Sequence, residues 1–298
     1  GNNTIYRSSD GLSWTSFDSP NNFTTVAAGG DGFLLGGPRG LIASTSDGSL
    51  VARQTTGGVI PADFHFADNY RELQSANLLA GSGGAILTAN RQGISSAFGT
   101  GGAQTLLDGG YARPQQRDIH MLVGEGGLVV ETNNVDEAFR ISDAGTTETL
   151  RGVGWFDSSS FGVSDGFFVV GDNGSIRFGT IVPFGQGFNW EEKSIDGVTA
   201  DFYDTLSGVI VGEGGLIYRT TDTESFSQID SGTTETLREI DNLFGKTIVC
   251  GDNGTLLVGS SATSLGAVDS GTTQDLYGAA YGNVGERTYC VVGDDVIL

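Results

Sequence analysis

The chain has 298 residues, enough for one large domain or two small ones. It carries 15 Lys and Arg against 36 Asp and Glu, a formal net charge of -21. Such a charge repels nucleic acid and anionic lipid, and no apolar run of about 18 residues exists, so neither nucleic-acid binding nor membrane insertion is predicted.

One phrase recurs along the chain from Phe33 to Leu298: an apolar run, a short glycine turn and a second apolar run. It reads "FLLGGPRGLIAS", "LLAGSGGAILT", "MLVGEGGLVVET", "FVVGDNGSIRF", "VIVGEGGLIYRT", "IVCGDNGTLLV" and "CVVGDDVIL". The first glycines of these turns are Gly36, Gly81, Gly124, Gly171, Gly212, Gly251 and Gly293, which lie 39 to 47 residues apart. A period of about 42 residues is typical of four-stranded propeller blades.

Each period contains four short runs with β-branched and aromatic residues, which predict strands A to D. In one unit these are "ADFYDTL", "GVIVG", "GLIYRT" and "SFSQID". A second phrase, "GTTETLR" at Gly145–Arg151 and Gly232–Arg238, with a variant at Ser270–Gly278, is predicted to connect strand D to strand A of the next blade. The 49 glycines interrupt any helical periodicity, so no helices are predicted.

The two ends of the chain complement each other. The first residues match strands C and D, and the last residues match strands A and B. We therefore predict an all-β, seven-bladed β-propeller of four-stranded blades, a single domain over residues 1–298. N-terminal strands C and D would close it by pairing with C-terminal strands A and B, leaving no free edge.

The stretch "SSDGLSW" at Ser8–Trp14 resembles the Asp-box hairpin, one residue shorter than usual. Degenerate copies are "STSDGSL" at Ser44–Leu50 and "TTDTESF" at Thr220–Phe226. The chain thus resembles the Asp-box, or BNR-repeat, propellers, a group that includes photosystem II assembly-factor-like and sialidase-like proteins. In that group the Asp-box is a structural hairpin, and we interpret Asp10 as a residue whose carboxylate binds the backbone of its own turn.

Catalytic chemistry is not indicated. The resemblance to sialidases would require a cluster of arginines, and the 13 arginines are scattered singly. Asp118 and His120 lie on one side of a predicted strand, but no G-x-S-x-G elbow accompanies them, so His65 and His120 are interpreted as surface or loop residues. The "GDNG" turns lack the calcium-loop pattern. No enzyme activity, metal site or cofactor is predicted.

Cys250 and Cys290 fall in B strands of adjacent blades and are interpreted as small buried apolar residues, with a disulfide as the alternative. N-glycosylation sequons occur at Asn2, Asn22, Asn173 and Asn253, and matter only if the protein is exported.

Binding is predicted where the repeat is broken, in two long A–B regions that combine aromatic residues with Arg. The candidates are Phe64, Tyr70, Arg71, Tyr111, Arg113 and Arg117. The favoured function is a non-enzymatic module displayed on a virion or cell surface of a halophilic archaeon or its virus. It would bind a protein or glycan on a host or neighbouring surface, together with structural proteins of the same assembly. The alternative is an assembly-factor scaffold, and a glycan-active enzyme has the least support.

The charge also predicts how stability depends on salt. The two explanations for it are cation binding and solubility in concentrated salt, and the scarcity of Lys, found only at Lys193 and Lys246, favours the second. We predict that the thermal midpoint rises steeply from low to molar NaCl, because salt screens repulsion among the carboxylates. A calorimetric midpoint that stays flat over that range contradicts the prediction.

Overall fold

The structure is a computed structural model. It describes residues 3–10, 12–13, 15–19, 23–29, 32–45, 51–55, 63–69, 77–90, 93–114, 117–133, 139–158, 164–182, 187–243, 245–284, 286–293 and 296–297. Within these residues the regular secondary structure is β-strand, as predicted, together with short 3-10 turns that were not predicted.

Twenty-nine strands are described, in chain order. The first ten are β1 (Asn3–Arg7), β2 (Thr15–Ser19), β3 (Thr25–Gly29), β4 (Gly32–Gly37), β5 (Leu41–Thr45), β6 (Val51–Thr55), β7 (Phe64–Asn69), β8 (Asn77–Gly81), β9 (Ala85–Asn90) and β10 (Gly93–Gly99). The next twelve are β11 (Leu106–Ala112), β12 (Ile119–Gly124), β13 (Leu128–Thr132), β14 (Arg140–Asp143), β15 (Leu150–Phe156), β16 (Gly166–Gly171), β17 (Ile176–Ile181), β18 (Phe188–Lys193), β19 (Phe202–Leu206), β20 (Val209–Gly212), β21 (Ile217–Arg219) and β22 (Ser227–Ile229). The last seven are β23 (Leu237–Leu243), β24 (Lys246–Gly251), β25 (Leu256–Gly259), β26 (Gly266–Ala267), β27 (Leu276–Val284), β28 (Glu286–Gly293) and β29 (Val296–Ile297).

In the described residues, six sheets have four strands each in simple up-and-down order, beginning at β3, β7, β11, β15, β19 and β23. We name each of these sheets after its first strand. The four strands predicted from Ala200 to Asp230 are confirmed as β19 to β22.

The prediction of seven four-stranded blades is wrong, because the structure has six four-stranded blades in its described residues. The sheet that holds both chain ends has five strands in the order β2-β1-β29-β28-β27. The two-residue strand β29 lies between β28, to which it is antiparallel, and β1, to which it is parallel. The N-terminal strands therefore do not pair directly along the C-terminal B strand. One isolated bridge, between Ser8 and Tyr289, links β28 to the residue that follows β1.

The chain forms two compact units. One comprises residues 1–103 and 238–298, and contains the β3, β7 and β23 sheets and the five-stranded sheet. The other comprises residues 104–237, and contains the β11, β15 and β19 sheets. The prediction of a single domain over residues 1–298 stays a prediction.

In the unit of residues 104–237, the inner strands approach closely because glycines replace side chains. A Cβ on Gly154 of β15 would lie 2.1 Å from the carbonyl oxygen of Thr205 on β19. The core beside this contact is aromatic, since Phe168 packs edge-on against Phe156 with ring centroids 5.7 Å apart. Both phenylalanines are buried, and they belong to a larger apolar cluster that stabilises this unit.

Candidate functional site

Tyr111, Arg113 and Arg117, three of the predicted binding residues, lie together at one end of the β11 sheet. Tyr111 pairs in register with His120, and their ring centroids are 4.9 Å apart. Its hydroxyl donates a hydrogen bond of 2.6 Å to Oδ1 of Asp118. Burial, helped by Asp118, raises the pKa of the Tyr111 phenol well above its ordinary value, so this hydroxyl stays protonated.

The two arginines of this segment bind different partners. Nε of Arg113 lies 3.5 Å from Oδ1 of Asp118, and its side chain is 46% exposed. Nε of Arg117 donates a hydrogen bond of 3.1 Å to Oδ1 of Asn133, the residue that follows β13. We call Tyr111, Arg113, Arg117 and Asp118 the β11 cluster. It presents cationic groups and an aromatic ring on a chain that is otherwise strongly acidic.

His120 is a correction to the sequence interpretation, because it is buried in β12 whereas His65 is exposed. Burial lowers the pKa of His120 to about 4, and the nearby Asp118 opposes that shift. At neutral pH the imidazole is therefore uncharged beside the Tyr111 ring.

The lowered pKa predicts how stability depends on pH. The unfolded chain protonates His120 near its ordinary pKa of about 6.5, whereas the folded chain does so near 4. The contribution of neutral His120 to the free energy of unfolding is therefore complete above about pH 6.5, and it is lost as the pH falls towards 4. At 1.36 kcal/mol per pKa unit, the loss amounts to at most about 3 kcal/mol.

The measurement is the free energy of unfolding by urea at pH 7 and at pH 5. His120→Gln is expected to reduce the difference between the two pH values. The matched control is His65→Gln, because His65 is the other histidine of the chain and is exposed. Equal pH dependence in the wild type and His120→Gln would contradict the assignment.

The remaining predicted residues do not join the β11 cluster. Phe64 begins β7 with its side chain fully buried, and its carbonyl oxygen accepts a hydrogen bond from Oγ1 of Thr24, so the core and not the surface holds this ring. Tyr70 and Arg71 lie outside the described residues, as do the sequon residues Asn2 and Asn22.

The sequon residues Asn173 and Asn253 occupy equivalent turns, with φ angles of 56° and 53°. Both are exposed. The side-chain nitrogen Nδ2 of Asn173 donates a hydrogen bond of 2.8 Å to Oε2 of Glu148. Their glycosylation stays a prediction.

The repeated connectors join strand D of one sheet to strand A of the next, as predicted, and they lie at the other end of the strands. In each copy an aspartate accepts a hydrogen bond from the backbone of the following glycine, at 2.8 Å for Gly145 and 2.9 Å for Gly232 and Gly271. The connector phrase and the turn between strands B and C touch each other, since a Cβ on Gly254 would lie 2.0 Å from the Thr272 carbonyl oxygen. The repeated phrase therefore forms a structural contact between the connector and the B–C turn.

The arginine that ends this phrase is a residue whose role the sequence analysis missed. Arg151 pairs through Nε with Asp172 of the B–C turn of its own sheet, and its guanidinium lies 5.1 Å from the Tyr203 ring centroid. Arg238 repeats the arrangement with Asp252 and Tyr277, again at 5.1 Å. The recurrence of arginine at the end of both copies of "GTTETLR" is the sequence feature that could have predicted this role.

Asp10 acts within its own turn, as its interpretation required. Its Oδ1 accepts backbone hydrogen bonds of 2.8 Å from both Leu12 and Ser13. Asp222 repeats the pattern, accepting from Glu224 at 2.9 Å and Ser225 at 2.7 Å. These hydrogen bonds, which favour the ionised form, lower the pKa of each carboxylate to about 2. The copy at Ser44–Leu50 lies largely outside the described residues.

Cys250 and Cys290 are both buried and neither forms a disulfide, which confirms their interpretation as small core residues. Burial raises the pKa of the Cys290 thiol to about 12. Among the described residues, no cluster of His, Cys, Asp and Glu has the geometry of a metal site. In the same part of the chain, no helix has the length and apolar character that crossing a membrane requires.

Comparison with known proteins identifies the fold of the chain only. No family model and no curated protein matches the sequence. The fold is similar to that of YCF48. A structure of YCF48 bound to D1 peptide matches with a TM-score of 0.64 and 11% identity, over 93% of this chain and 91% of that chain. YCF48 from Cyanidioschyzon merolae matches with a TM-score of 0.61 and 13% identity, over 86% and 95%. This likeness confirms the β-propeller class.

Proposed function

We propose that the protein is a non-enzymatic scaffold that binds a segment of a protein partner. The observation that carries this proposal is the likeness over nine-tenths of the chain to a propeller whose structure holds a bound peptide. It supports the assembly-factor alternative better than display on a virion or cell surface. Surface location, a halophilic source and glycan binding remain predictions without support from these comparisons.

The β11 cluster is the proposed binding surface. The repeated connectors at the other end of the strands are held by their own hydrogen bonds, whereas Arg113 and Arg117 belong to a segment that departs from the repeat. Arg113 is nearly half exposed and its ion pair with Asp118, at 3.5 Å, is longer than the usual 2.7–2.9 Å of a charge-assisted hydrogen bond. A partner carboxylate can therefore compete for it at a small cost, because an exposed ion pair contributes at most about 1 kcal/mol.

The chemistry of the partner follows from this geometry. The exposed guanidinium of Arg113 can pair with a carboxylate, and the half-buried Tyr111 ring is held near it through their shared partner Asp118. We therefore infer an acidic peptide segment with an apolar or aromatic residue as the partner.

The experiment selects peptides from a random phage-displayed library on the wild-type protein and measures their affinity by fluorescence anisotropy. Arg113→Glu together with Arg117→Glu is expected to weaken the selected peptides by tenfold or more, about 1.4 kcal/mol. The control is Arg219→Glu, which reverses the charge of an exposed arginine on β21 in the same unit. Peptides that bind the double variant as tightly as the wild type would place the binding surface elsewhere.

A further inference from the structure

A polar groove of about 680 Å³ lies in the unit of residues 104–237, away from the β11 cluster. One wall is the connector that follows β14, and the other comprises the B–C turn and outer strands of the β15 sheet. The walls are joined by the hydrogen bond from Asn173 to Glu148 and by a longer one, 3.4 Å, from Arg177 to the Gly145 carbonyl oxygen.

Two buried polar residues line this groove, Ser175 and Arg177. Ser175 is 8% exposed, and its Oγ has no hydrogen-bond partner among the described residues. Arg177 is 9% exposed and follows two positions later, so both side chains lie on the same face of the strand.

The other sheets place different residues at these two positions. The residue after the B–C turn is Leu41, Ala85, Leu128 and Leu216 in four of them, and Thr255 in a fifth. Two residues further on, the position of Arg177 holds a buried, uncharged side chain in all five of these sheets: Ala43, Leu87, Val130, Tyr218 and Leu257. The β15 sheet therefore departs from the repeat by burying a hydroxyl and a guanidinium.

Burying these groups costs stability unless something pairs with them, and such departures from local rules concentrate at binding sites. Arg177 donates to the carbonyl oxygens of Ile176 and Gly145, but its only carboxylate partner in the described residues is Glu192, at 3.4 Å, whose side chain is 74% exposed. A ligand carboxylate can displace so exposed a partner, and it would accept hydrogen bonds from Arg177 and from the Ser175 hydroxyl.

The rim of the groove has the opposite charge. Asp143 accepts a backbone hydrogen bond from Gly145, and Glu148 accepts from Asn173. Neither carboxylate is in an ion pair in the part of the chain that the structure describes. These two acids repel a simple anion and attract a cationic group on the same ligand.

We propose that this groove binds a carboxylate that carries a cationic side chain beside it. The ligand is a free basic amino acid or the C-terminal residue of a peptide that ends in Lys or Arg. Its carboxylate lies at Ser175 and Arg177, and its cation lies at Asp143 and Glu148.

The test is an NMR titration of the full chain with acetyl-glycyl-glycyl-lysine, its C-terminal amide, and free lysine. We expect the free-acid peptide to shift the amide signals of Gly174, Ser175 and Arg177, and the amide to bind at least tenfold more weakly. Free lysine binding as tightly as the peptide identifies an amino-acid site, and tighter binding of the peptide identifies a peptide C-terminus. Equal affinity of acid and amide, or no saturation below about 10 mM, overturns the proposal.

The variants separate binding from folding. Ser175→Ala removes a hydroxyl that has no hydrogen-bond partner among the residues the structure describes, so the thermal midpoint should stay equal or rise while the affinity falls about threefold to tenfold. Thr255→Ala is the matched control at the equivalent turn of the β23 sheet and should leave the affinity unchanged. Glu148→Gln should weaken the lysine peptide but not acetyl-glycyl-glycyl-leucine. A Ser175→Ala protein that binds as well as the wild type overturns the assignment.

Discussion

Replacing Gly215 by Ala is expected to destabilise the protein by about 4 kcal/mol, enough to lower the thermal midpoint by on the order of 10 °C. Gly215 ends the turn between β20 and β21 with a φ of +74°. A Cβ there would lie 2.1 Å from the Thr233 carbonyl oxygen and 3.0 Å from the Ser231 hydroxyl, both in the connector that leads to β23. The backbone oxygen cannot move aside unless the connector shifts, so the turn and the connector would separate.

Gly214→Ala is the matched control because the two glycines are neighbours in the same turn. Gly214 also has a positive φ, +66°, but a Cβ there meets nothing within 4 Å. Its replacement by Ala should lower the free energy of unfolding only by the cost of placing a Cβ in the left-handed conformation, about 1–2 kcal/mol. Unfolding by guanidinium measures both variants, and equal losses would show that the joint between turn and connector contributes no stability.

The periodic parts of the fold could be predicted from the sequence. The strands of each sheet, the glycine turns and the connectors recur with the same residue types, and each copy confirms the others. Asp10 was interpreted correctly because its interaction is local. A turn carboxylate two or three residues before free backbone N–H groups accepts their hydrogen bonds whatever the surrounding fold.

The number of four-stranded blades could not be predicted, because a two-residue strand has no periodicity. Val296 and Ile297 follow the last glycine turn and look like the beginning of another strand C. In the structure they form β29, between β28 and β1, so the sheet that joins the chain ends has a fifth strand.

The candidate sites were predicted unevenly for a related reason. Tyr111, Arg113 and Arg117 stand out because their segment departs from the repeat, whereas Phe64 was included in a predicted loop although it is the first residue of β7. His120 is buried because every residue of β12 is buried, which reasoning about single residues did not reveal. Ser175 and Arg177 could have been found by aligning the turns and asking which copy places polar residues where the others are apolar.

Deleting residues 1–14 is expected to abolish cooperative unfolding, because the deletion removes β1 and leaves β2 without its partner. All five residues of β1 pair with β2, from Asn3 with Ser19 to Arg7 with Thr15. The deletion also exposes the edge of β29 and removes the Ser8 backbone that exchanges hydrogen bonds of 3.3 Å and 2.9 Å with Tyr289. Unpaired strand edges favour aggregation, so we expect a largely insoluble product.

A smaller deletion, of residues 296–298, tests the fifth strand itself. It removes the pairs of Val296 and Ile297 with β28 and β1. Losing a few ladder hydrogen bonds at about 1 kcal/mol each should lower the midpoint by on the order of 10 °C. The control replaces Val296 and Ile297 by Thr, which keeps the backbone pairs and a β-branched side chain at both positions. If the deletion melts at the temperature of the Thr control, β29 does not hold the two ends of the chain together, and the Ser8–Tyr289 bridge must do so.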